Sequence, residues 1–162
     1  MTKKIMIVGV GGQGTLLASR ILGNTVINEG YDVKVSEVHG MSQRGGSVVT
    51  YVKYGQKVES PVICKGEADF LISFEQCETA RWLPYLKKGG IVVTSTQKTS
   101  PMPVIMGVKE YPPEIMEKID ALNREAFVGN LIKRKNVDSL LEAKKIASSD
   151  YYLVVVGDGP LF

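Results

Sequence analysis

Residues 5–14, Ile-Met-Ile-Val-Gly-Val-Gly-Gly-Gln-Gly (IMIVGVGGQG), decide the fold. The run from Ile5 to Val10 is short and apolar, as in a buried parallel strand. Gly9, Gly11 and Gly14 then complete a G-x-G-x-x-G pattern around Gly12 and Gln13. The next residues, 15–29, predict a helix with Leu17, Ile21 and Val26 near one face and Gly30 as its stop. Strand, glycine turn and helix in that order form the opening unit of an α/β fold. Its glycines allow close backbone approach, and the helix start offers unpaired N–H groups to an anion.

Residues 32–36 read as a second strand that ends at Glu37, 23 positions after Gly14. A dinucleotide fold places a ribose-binding acid near such a position. NAD(P) binding is therefore one reading of the motif. A tight turn in a Rossmann-like fold without a dinucleotide is the other, and the motif leaves both open.

Beyond Glu37 comes a polar stretch, residues 36–47 (SEVHGMSQRGGS). It follows neither helical nor strand periodicity and contains the chain's single histidine, His39. Ser42, Gln43, Arg44, Gly45 and Gly46 make it dense in polar groups and flexible backbone. Such a loop suits a ligand or a partner rather than a core. It is expected to lie against the 9–14 turn.

Further along, residues 47–54 alternate and are rich in β-branched and aromatic types, while residues 57–63 return after Gly55-Gln56. These two runs predict an antiparallel hairpin, with Pro61 at an edge. The hairpin departs from a dinucleotide-binding half, which would continue with another βα unit. Residues 69–74 predict a buried strand, 75–82 a helix, 87–90 a polar turn and 91–95 a parallel strand. Residues 96–103 read as a loop, 113–122 and 137–147 as helices, and 151–156 as a strand. The expected fold class is α/β, a Rossmann-like three-layer sandwich with a mostly parallel sheet and an inserted antiparallel hairpin. The 162 residues suit one domain spanning the whole chain.

Composition narrows the function. With 20 basic and 17 acidic residues, the net charge of +3 is too balanced to argue for nucleic acid. No run of about 18 apolar residues predicts a membrane span. Glycines end the first apolar run too early for a signal peptide, so a cytoplasmic location is expected. Cys64 and Cys77 lie 13 positions apart with no CxxC, so an iron–sulfur or zinc site built by this chain alone is not expected.

GVGGQG and SEVHGMSQRGGSVVTYV together resemble the gamma subunit or domain of the 2-oxoacid:ferredoxin oxidoreductases, particularly the beta subunit of the indolepyruvate branch. SPVICKGEADFLISFE, ARWLPYLKKGGIVV and PMPVI extend the resemblance over roughly residues 3–115. The resemblance implies a complex that converts a 2-oxoacid and coenzyme A into acyl-CoA, carbon dioxide and reduced ferredoxin. For the indolepyruvate branch the acids are aryl pyruvates. It implies that thiamine diphosphate, Mg and the iron–sulfur clusters belong to a large alpha subunit. This chain would then be a small subunit without catalytic residues, inactive alone, that supports assembly. Under this reading Gly9, Gly11, Gly12, Gln13 and Gly14 shape a pocket with Glu37, His39, Ser42, Gln43, Arg44, Gly45 and Gly46. Coenzyme A with its phosphates on Arg44 and backbone N–H groups is one occupant, and a subunit interface with no ligand is the other. A homodimer is a further possibility.

From about residue 116 the chain departs from the family pattern. The strand expected before Val137 is replaced by the basic run 132–136, and the chain ends where family members continue. A truncated or diverged C-terminal part is the expectation there.

Overall fold

A computed structural model describes residues 1–40, 45–115, 117, 119, 127–130 and 153–157. Seven strands form one sheet. They are β1 (Lys3–Val10), β2 (Asp32–His39), β3 (Ser47–Gly55), β4 (Ala68–Ser73), β5 (Leu86–Ser95), β6 (Phe127–Asn130) and β7 (Leu153–Gly157). Three helices, α1 (Thr15–Asn28), α2 (Gln76–Trp82) and the single turn α3 (Met102–Ile105), are interleaved with them. Ile115, Glu117 and Ile119 are also helical.

The sheet order is β2-β3-β1-β4-β5-β7-β6. All pairings are parallel except the two made by β3, which runs antiparallel to β1 and to β2. This is the mostly parallel α/β sheet that the sequence predicts. The hairpin is present, but its arms are β2 and β3. Residues 57–63, expected as the second arm, form no strand. Both edges of β3 are already taken, and Pro61 has no N–H to donate. The segment instead buries Val58 and Ile63 and is tied back by Val58 N–H, which donates to Asp32 Oδ2 at 2.7 Å.

Two apolar clusters make the layers. Ile5, Ile7 and Val52 pack with Ala18 and Leu22 of α1 on one face. Met6, Val8, Leu71 and Val92 pack with Trp82, Ile115 and Ile119 on the other. Helix α1 meets the sheet through small residues: Thr15, Ser19, Gly23 and Val26 are buried, while Leu17 and Ile21 are 55% and 57% exposed. This corrects the expected apolar face. The helix lies over three strands at once, and bulky side chains would hold it off. A Cβ at Gly23 would already stand 3.7 Å from Val35. The predicted stop holds: Gly30 has φ 84°, and the Gly30 and Tyr31 amides donate to Ile27 and Val26 carbonyls.

The predicted polar turn at residues 87–90 lies inside β5, as a bulge. Ala68 pairs with Leu86 but Phe70 pairs with Ile91, so four residues of β5 face one of β4. Asp69 holds this irregularity, accepting from Lys4 N at 2.8 Å and pairing with Lys87. Strand β7 matches the apolar run near residue 153. Strand β6 has no counterpart among the predicted elements; it precedes the basic run 132–136, which lies outside the described residues. The helix predicted at 137–147 lies outside the described residues. Among the described residues no helix is long and apolar enough to cross a membrane.

Candidate functional site

The turn after β1 and the loop after β2 meet, as expected. Gly11 N donates to Gly46 O at 2.8 Å, and Gly45 N donates to Gly11 O at 3.4 Å. These bonds continue the β1–β3 ladder past its last pair, Val10 with Ser47. Ser47 is itself fixed, its Oγ donating to Glu78 Oε2 at 2.5 Å. Glu78, on α2, also accepts from Trp82 Nε1 at 3.2 Å and pairs with Arg81 Nε at 3.2 Å. The end of the second glycine loop is thus anchored to α2.

Gln13, expected to help shape a pocket at the C-terminal edge of the sheet, turns its side chain to the backbone there. Its Oε1 accepts from Val10 N at 2.7 Å, and its Nε2 donates to Phe74 O at 3.2 Å. The carboxamide therefore bridges the C-terminal ends of β1 and β4. That is where the chain's progress through the sheet reverses, and where open α/β sheets hold their ligands. Gly9 lies directly beneath, and a Cβ there would meet Gln13 Oε1 at 2.8 Å.

Beside this closed crevice the backbone is open. Gly12, Gly14 and Gly45 have φ of 101°, 85° and 78°, and a Cβ at each would meet nothing within 4 Å. Helix α1 starts at Gly14 with no side-chain cap and no acid in its first turn. Its first N–H groups are left to solvent or to an anion. This is the one place among the described residues where several of the candidate positions combine open backbone with a helix start.

Glu37 and His39 do not join that place as expected. Both lie within β2 rather than after it, because β3 pairs with the whole run Asp32–His39. Strand β3 also separates β2 from β1, so Glu37 lies one strand spacing, about 5 Å, beyond the position a ribose-binding acid needs. The dinucleotide reading loses its acid and its crevice together. Glu37 Oε2 and the hydroxyl of Thr50, its cross-strand partner, are buried without hydrogen-bond partners among the described residues. His39 is exposed, with Nδ1 3.0 Å from Gly40 O. Ser42, Gln43 and Arg44 lie outside the described residues.

The sequence reading missed Glu75. It is 1% exposed and follows β4. Its Oε2 caps α2 by accepting from Glu78 N at 2.9 Å. Its Oε1 accepts from Thr99 N at 3.1 Å and from Tyr111 OH at 2.5 Å. Burial, the hydrogen bond to Cys77 and the nearby carboxylate raise the Tyr111 pKa far above its ordinary value. Burial likewise raises that of the Cys77 thiol. The available signal was the spacing in Phe74-Glu75-Gln76-Cys77-Glu78, an acid at a helix start three residues before a second. Among the described residues no group of three or more His, Cys, Asp or Glu side chains could hold a metal ion.

Comparison with known proteins gives these positions a context. Residues 4–146 match the family model described as pyruvate ferredoxin/flavodoxin oxidoreductase. Indolepyruvate oxidoreductase subunit IorB of Pyrococcus horikoshii is 41% identical over 150 residues, which cover 93% of this chain and 73% of that one. Ketoisovalerate oxidoreductase subunit VorA of Methanothermobacter marburgensis is 32% identical over 94 residues, 57% of this chain but only 19% of that one. The crystal structure of pyruvate oxidoreductase subunit PORC from Thermotoga maritima shares the fold. It has a TM-score of 0.50 and 20% identity, covering 60% of this chain and 52% of that one.

Proposed function

Since the chain belongs to the pyruvate ferredoxin/flavodoxin oxidoreductase family, we propose that it is the small subunit of a 2-oxoacid:ferredoxin oxidoreductase acting on indolepyruvate or related aryl pyruvates. Its own part is assembly and the holding of coenzyme A. The observation that carries this reading is the pairing of Gly11 with Gly45 and Gly46, which joins the two loops of the family-like sequence into one surface. Open backbone at Gly12, Gly14 and Gly45, beside an uncapped helix start, suits phosphate oxygens. Arg44 is assigned to the same phosphates on sequence grounds.

In this reading, decarboxylation and electron transfer belong to thiamine diphosphate, Mg and iron–sulfur clusters on a large partner subunit, with ferredoxin as acceptor. The small subunit presents the thiol carrier and shields it from water. A stand-alone NAD(P) enzyme is not favoured, because Gln13 closes the crevice and Glu37 lies a strand too far away.

The test is thermal unfolding of the full chain with saturating coenzyme A, NAD+ or NADP+. At about 100 times the dissociation constant, specific binding adds roughly 2.7 kcal/mol and shifts the midpoint by several degrees. A shift with coenzyme A alone is expected. A shift with a nicotinamide cofactor alone would overturn the proposal.

A further inference from the structure

The segment from Thr99 to Tyr111 leaves the same C-terminal sheet edge as the glycine loops, after β5. Both its ends are fastened to one atom: Glu75 Oε1 accepts from Thr99 N and from Tyr111 OH. Between them the chain is folded on itself. Helix α3 is followed by Gly107, at φ 71°, and the amides of Val108 and Lys109 both donate to Pro103 O, at 2.9 and 3.0 Å. This hydrogen-bonded segment carries the wrong side chains for water. Met102, Ile105, Met106 and Val108 are 66–69% exposed. The sequence from Pro101 to Val108, PMPVIMGV, has no charge, in a chain that is 23% charged. Exposed apolar groups gathered in this way mark an interface, and methionine adapts well to a partner's surface.

We infer that this segment is the knob by which the chain docks into an apolar recess of the large subunit. The inference rests on the small-subunit reading above and deepens it. Two observations select the occupant. In VorA the 94 matched residues are 57% of this chain but only 19% of that one, so most of that polypeptide lies beyond the part that this chain resembles. The knob also stands on the edge that carries the glycine loops, two strands from β1, or roughly 10 Å. A subunit that completes a reaction at those loops approaches this same edge, on which the knob stands.

The experiment uses the full chain and the large subunit of the same enzyme, with affinity measured by biolayer interferometry. One variant combines Met102→Ser, Ile105→Ser and Met106→Ser. A second, Leu17→Ser with Ile21→Ser, removes exposed apolar groups from α1 instead. The knob variant is expected to bind at least about tenfold more weakly, with the α1 variant and both thermal midpoints unchanged. If the wild-type chain does not bind the large subunit at all, the small-subunit reading itself fails. If it binds and the knob variant binds equally well, the docking site is wrong while that reading survives. Two other results overturn the inference by naming another occupant. They are a wild-type dimer that the knob variant breaks without affecting the large subunit, and a lowered midpoint for the knob variant, which would mean the chain covers the knob itself.

Discussion

Replacing Gly9 by alanine tests whether the Gln13 bridge is what closes the crevice. The new Cβ would lie 2.8 Å from Gln13 Oε1, 3.2 Å from Thr15 Cγ2 and 3.3 Å from Phe74 Cβ. Gly9 does not have a positive φ, so the cost is steric rather than conformational. Only the Gln13 carboxamide can move, and moving it breaks its bonds to Val10 N and Phe74 O. Each such bond contributes about 0.5–1.5 kcal/mol, and the residual crowding against Thr15 and Phe74, at 3.2 and 3.3 Å, adds about 1 kcal/mol. Gly9→Ala should therefore destabilise by about 2–4 kcal/mol. In a chain of 162 residues that lowers the thermal midpoint by roughly 6–12 °C. Gln13→Ala alone should cost about 1–3 kcal/mol for the two lost bonds. Once that side chain is gone the clash is gone too, so the double variant should cost less than the sum by more than about 1 kcal/mol. Urea unfolding with unchanged slope is the assay. Additivity within about 0.5 kcal/mol, or a neutral Gly9→Ala, would refute the bridge.

Three further outcomes are expected. Tyr111→Phe removes a donor to a buried carboxylate and should cost about 1.5–3 kcal/mol in urea unfolding. It should also raise proteolytic cleavage between residues 99 and 111. Asp32 is held below its ordinary pKa of 3.8, first by its hydrogen bond from Lys34 and then by Val58 N–H. Its stabilising effect is thus present above that value and is lost as pH falls through the lower folded one. Asp32→Asn should flatten the acid limb of the stability–pH curve while leaving the slope near neutral pH unchanged. Cys64 is exposed, whereas Cys77 is half-buried with its thiol pKa raised by burial. A thiol reagent at neutral pH should label Cys64 first, and a reversed order in peptide mapping would contradict the packing around Glu75.

Elements marked by local chemistry were legible in the sequence. The apolar run at Ile5, the glycine turn and the Gly30 stop each announce themselves within a few residues. What resisted was pairing between distant segments. Residues 32–39 and 47–55 look like separate strands, and nothing local says that β3 enters between β2 and β1. The return of residues 57–63 after Gly55-Gln56 suggested a partner for β3, whose two edges were already occupied. Lys87 to Gly90 read as a turn because a bulge has the same composition. The same limit applied at the site. Contact between the two glycine loops followed from fold class, but the bridging role of Gln13 depends on Phe74 arriving from β4. Glu75 was passed over because an acid at a helix start is commonplace on the surface, and only the return of Tyr111 from 36 residues away makes it buried.

The place of β3 also sets the order in which the chain can fold. Strands β1 and β2 emerge first during synthesis, yet they never touch as neighbours in the sheet. Until β3 has been made, the first 40 residues contain a helix and two strands with no ladder between them. A ladder that joins the two needs residues 47–55, which pair with both and whose start is bonded to the Gly11 turn. The corner formed by the two glycine loops thus depends on a strand that comes third in the chain.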